Sequence, residues 1–122
     1  MSSAIENLAR YLEAWNEEDV NLVRGHLQAS CAANVLFVDP LHTTTTIDDL
    51  EKMIVDARKE RPTASYHRIS GIDAHNQRHR MLWEVRLDGE KVIEGMDVTT
   101  VDNDNKIIRI DGFFGPIPAM EG

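Results

Sequence analysis

The chain has 122 residues, 42% hydrophobic and 28% charged, with 13 lysines and arginines against 21 aspartates and glutamates and a formal net charge of −8; that suits one domain spanning 1–122 and excludes a disordered chain. The charge repels a phosphate backbone, Arg78-His79-Arg80 is too short a basic stretch to attract one, and no window approaches the ~20 apolar residues of a membrane span, so neither nucleic acid nor membrane is an expected partner. The N-terminal Met-Ser-Ser-Ala-Ile-Glu lacks the pattern of an export signal and the lone Cys31 can make neither an internal disulfide nor a thiolate zinc site, which makes the cytoplasm the expected location.

In chain order, Ile5, Leu8, Leu12 and Trp15 recur at helical spacing with Tyr11 on the same stripe, predicting an amphipathic helix over 4–17. Asn16-Glu17-Glu18 breaks that pattern, and Asp19 is an N-cap for a second helix carrying Val20, Val23 and Leu27. A β-rich run from Asn34 to Asp39 stops at Pro40. Thr46-Ile47-Asp48-Asp49 resembles a capping box opening a third helix to about Glu60, before Pro62. From Ala64 the pattern changes to strands at 64–72, 79–87, 92–101 and 107–114, with turns at Asp73 to Gln77, Asp88 to Glu90 and Asp102 to Asn105. Short turns make neighbours antiparallel, and helices followed by a meander define an α+β fold with helices on one sheet face.

Strand alternation puts Met81, Trp83, Val85 and Leu87 on one side, with Ile93, Gly95, Asp97, Thr99 and Val101 and the row Ile108, Ile110, Gly112 and Phe114. If these rows face the helices, the interior is apolar apart from Asp97, a buried carboxylate that needs a partner or a proton.

At Arg10-Tyr11, Trp15, Asn16 to Asp19, Phe37-Val38-Asp39-Pro40, Gly89, Gly95-Met96-Asp97, Lys106-Ile107-Ile108 and Phe113-Phe114-Gly115, the chain resembles the nuclear transport factor two-like superfamily. Within it the similarity is to the SnoaL-like and ketosteroid isomerase-like branch, and it covers nearly the whole length. The resemblance implies a cone-shaped α+β barrel, cystatin-like, with three N-terminal helices packed on a curved antiparallel sheet. It implies a pocket for an apolar small molecule, and no cofactor. Ketosteroid isomerase is itself the worked case of carboxylate tuning: an aspartate before proline moves the proton while a tyrosine and a protonated aspartate hold the enolate oxygen. By resemblance those roles fall on Asp39, Tyr11 and Asp97, with Trp15, Phe37, Met53, Met81, Trp83, Ile110 and Phe114 lining the substrate site.

Each position also has a structural reading. Asp39 can form an Asx turn before Pro40, Tyr11 can be a core aromatic with a satisfied hydroxyl, and Asp97 can bond Thr99, Tyr11 or backbone. His42 is a candidate second acid or base or an idle loop residue. His75 and His79 flank a turn instead of lying on a helix, so no metal is expected. Arg109 and Asp111 fall on the outer sheet face with Phe113 and Ile107, a mixed surface expected to form a homodimer. The fold also serves other chemistry. An epoxide hydrolase-like site would pair Asp97 with an interior arginine, for which Arg86 has the wrong strand parity, and a non-catalytic binding or association domain remains a further alternative.

Overall fold

A computed structural model describes residues 2–121. Helix α1 (Ala4–Asn16) begins at a capping box: the Ser3 hydroxyl accepts from the Glu6 N–H, and the Glu6 carboxylate accepts from the Ser3 N–H. Asp19 caps a single 3₁₀ turn, Val20–Leu22, which feeds helix α2 (Val23–Ser30). Strand β1 (Cys31–Val38) starts at Cys31, three residues before the predicted run, and pairs with the short β2 (Thr43–Thr44). Thr46 caps helix α3 (Ile47–Glu60), whose acidic first turn and basic last turn complement its dipole.

The remaining strands are β3 (Ala64–Arg68), β4 (Asp73–His75), β5 (Arg78–Leu87), β6 (Glu90–Val101) and β7 (Ile107–Phe114). The segment read as one turn from Asp73 to Gln77 holds strand β4; the turn itself is Asn76-Gln77, both at positive φ, the geometry of a tight hairpin. The order is β2-β1-β7-β6-β5-β3, with β4 also on β5. Every pairing is antiparallel except β1 with β7, so the curved sheet is mixed and unclosed. The last strand returns to the middle, between the first long strand and the meander.

Leu8, Tyr11, Leu27, Leu50 and Ile54 from the helices pack on Val35, Val101, Ile107 and Ile110 from the sheet. A bulge corrects the predicted row on β7: Thr100 pairs with Arg109 but Val101 with Ile107, leaving Ile108 as the extra residue. Ile107 is therefore fully buried in the core instead of lying on the outer face, and Ile108 is only half-buried. Arg58 ties the helices to the sheet by donating to the carbonyls of Glu17, Pro62 and Ala64. Among the described residues, no helix is long and apolar enough to cross a membrane.

Candidate functional site

A cavity of about 720 Å³ opens between α1, α3 and the inner face of the sheet, within the usual size of small-molecule sites. Tyr11 and Trp15 reach it from α1, Phe37 and Asp39 from the end of β1, Met53 from α3, Met81 and Trp83 from β5, Asp97 from β6 and Phe114 from β7. Of the predicted site residues, only Ile110 is elsewhere. It pairs with Phe37 and Thr99 and is fully buried beneath the helices, while Gly112, two residues on along the same face, reaches the cavity.

Asp39 forms the Asx turn and also lines the cavity. Its Oδ1 accepts from the backbone N–H groups of Leu41 at 2.9 Å and His42 at 2.8 Å, which leaves Oδ2 without a protein donor among the described residues. The His42 ring stands 3.4 Å from the same Oδ1, half-exposed at the mouth. Asp97 bonds none of the partners expected for it; its Oδ1 accepts from the Trp83 indole N–H at 2.9 Å. Burial foremost pushes the Asp97 carboxyl up to about 7, the indole opposes that, and the charge of Asp39 adds to it. Tyr11 is 2% exposed, and its oxygen accepts from the Trp15 indole at 2.9 Å while its own proton has no acceptor among the described residues. Burial, then the Asp97 charge, holds the phenol well above its ordinary value, so it stays protonated.

Two glycines make this convergence possible. A methyl group at Gly95 would collide with the Phe113 carbonyl and the Trp83 ring, so the indole reaches Asp97 only across a bare backbone. At Gly112 it would stand 3.2 Å from Asp97 Oδ1 and 3.3 Å from Asp39 Cβ, which places this glycine between the two aspartates. Ring contacts fix the walls: Trp15 lies 5.0 Å from Tyr66 and 6.4 Å from Phe37, and Trp83 meets Phe114 edge-on at 6.0 Å.

Several lining residues escaped sequence reasoning. Tyr66 faces Val85 across β3 and β5, which alternation within β3 would have shown. Thr44 carries a buried hydroxyl without a partner among the described residues. Lys52, Asp56 and Glu60 on α3, with Arg61 just beyond, form a charged rim at i, i+4 and i+8 spacing. Arg86 pairs with Glu84 on its own strand, and no arginine bonds Asp97 among the described residues. His79 is buried with an unpartnered Nδ1 while His75 is exposed and bonds Asn76; no group of three metal-binding side chains gathers among the described residues. Arg109 and Asp111 lie on the outer face as expected, paired through two hydrogen bonds.

The helices, the curved sheet and the open cavity define the nuclear transport factor two-like, or cystatin-like, fold. Residues 8–110 match the SnoaL-like domain model, and the chain belongs to that family. A SnoaL-like family protein from Agrobacterium tumefaciens, named as a candidate isomerase, superposes with a TM-score of 0.86 at 29% identity, covering 95% of this chain and 100% of that one. A candidate polyketide cyclase from Sinorhizobium meliloti gives 0.69 at 14% identity over 88% and 93% of the two chains. A cystatin-like protein from Methylobium petroleophilum gives 0.78 at 15% over 95% and 78%. The last two show likeness of fold alone. No curated protein sequence matches significantly.

Proposed function

We propose that the chain is an isomerase that moves a proton beside the carbonyl of an apolar cyclic substrate. Asp39 Oδ2 removes the α-proton, the C–H electrons move through carbon to the carbonyl oxygen, and Tyr11 and protonated Asp97 hydrogen-bond the resulting enolate. In a β,γ-unsaturated ketone, returning the proton from Asp39 to the γ-carbon of the dienolate completes a double-bond shift with no net change in composition. The observation that carries this reading is the convergence of the three groups on one largely apolar cavity, with Gly112 between the aspartates. The likeness to the Agrobacterium candidate isomerase supports it.

The test is α-proton exchange of cyclic ketones in heavy water, followed by NMR. The wild type should accelerate exchange, and Asp39→Asn should lower it by about two orders of magnitude or more, the usual contribution of a general base. Binding of an oxyanion mimic should survive Asp39→Asn or tighten as a repelling charge is lost. No acceleration by the wild type across a panel of ketones, or an unaffected Asp39→Asn, would leave a binding-only protein. We also propose that two copies associate through the outer sheet face. Leu82, Met96 and Phe113 form an apolar cross-strand row there, beside the row of Arg80, Val98 and Asp111.

A further inference from the structure

Sequence reasoning gives Trp15 and Trp83 only bulk, yet each donates a 2.9 Å hydrogen bond to one of the two inner polar groups, Trp15 to Tyr11 and Trp83 to Asp97. An indole N–H donates and never accepts. The Tyr11 oxygen therefore spends an acceptor site on Trp15, and the only hydrogen bond its own proton can make is to something in the cavity. Oδ1 of Asp97 likewise faces a donor, so a proton on this carboxyl belongs on Oδ2. Both indoles are held in place, Trp83 between bare Gly95 and the edge of Phe114, and Trp15 against Tyr66 and Phe37.

We propose that Trp15 and Trp83 are positioning residues that fix the direction of the two inner hydrogen bonds, so that Tyr11 and Asp97 together offer donors to a single ligand oxygen. This rests on the isomerase reading and narrows its substrate class. The ligand must present an acceptor without a proton of its own, a ketone or enolate oxygen, at the inner end of the cavity. An ammonium group, which has no lone pair, would meet two protons there and be disfavoured while Asp97 is protonated.

Trp15→Phe and Trp83→Phe keep an aromatic ring but lose the N–H together with part of the indole's volume, and a probe without an oxyanion separates the two losses. The probes are 3,4-dinitrophenolate and 1,2-dinitrobenzene, which share a nitrated ring and differ in the oxyanion, with affinities measured by calorimetry at pH 6. Each variant should weaken the phenolate about tenfold, the scale of one hydrogen bond to a charged group, and leave dinitrobenzene within about twofold. Carboxyl-carbon NMR should place the Asp97 midpoint of Trp83→Phe above the wild-type value near 7, because the indole favours the ionised form. Unchanged phenolate affinity in both variants, or an unmoved Asp97 midpoint in Trp83→Phe, overturns the proposal. A wild type that binds phenolate no better than dinitrobenzene sinks the isomerase reading instead, and the Asp97 midpoint then decides the role of Trp83.

Discussion

Asp97 makes stability depend on pH in a direction opposite to most carboxylates. Its folded value, about 7, lies above the 3.8 of an ordinary aspartate, so the folded chain holds this proton more tightly than the unfolded one. Its stabilising contribution is full below about pH 4, falls as pH rises, and is lost once pH passes about 7. Asp97→Asn keeps an acceptor for the Trp83 indole and removes the titration. Relative to wild type it should gain on the order of 2–4 kcal/mol between pH 4 and pH 8, read from denaturant melts at the two values. A constant difference across that range would mean the carboxyl is solvated. Tyr11, Asp39 and Asp97 were legible because each sits in a local pattern, and so was the Asx turn of Asp39, but the indole partners of Tyr11 and Asp97 were not. The bond from Trp83 to Asp97 crosses from one strand to the next over Gly95, and no spacing along the chain encodes that approach.

Helix α1 is the element on which the site depends, since it supplies both Tyr11 and Trp15 at i and i+4. Trp15→Ala removes a ring packed on two others and a donor at once, and should lower stability by about 3 kcal/mol, seen as a clear fall in Tm. An unchanged Tm would show that the helix is held by Leu8 and Tyr11 alone. Helix limits were partly readable because caps and breakers act within a few residues: Thr46 marks the start of α3, whereas Asp19, read as the cap of the second helix, caps a 3₁₀ turn ahead of it, and the Ser3 cap of α1 went unread. Strand limits were less so. β1 begins inside a stretch of small residues, Cys31-Ala32-Ala33, with no alternation, and it is a strand because β7 lies beside it. The bulge near Val101 escaped for a related reason: one inserted residue reverses the inward and outward faces, and both Ile107 and Ile108 are apolar, so hydropathy cannot choose between them.

At the scale of the whole molecule, the outer face leaves Leu82 44% and Phe113 59% exposed on either side of Met96 in one cross-strand row. The proposed twofold pairing would cover that row on both copies and let Arg109 and Asp111 exchange partners. Light scattering should give about twice the chain mass, and Phe113→Glu should return the monomer; a wild type that stays monomeric at high concentration removes the idea. The α+β class was legible from the order of helices and strands, whereas the parallel pairing of β1 with β7 joins segments too far apart for any local signal. That pairing also governs the order of assembly. A chain emerging from the ribosome completes its helices and β1 long before β7, the strand that must lie between β1 and β6, has been made. Until β7 has been made, β1 lacks its main neighbour and the apolar faces of the helices lack part of the floor they pack on. Closing so long a loop slows folding, and the late arrival of a central strand ties the birth of the cavity to the completion of β7.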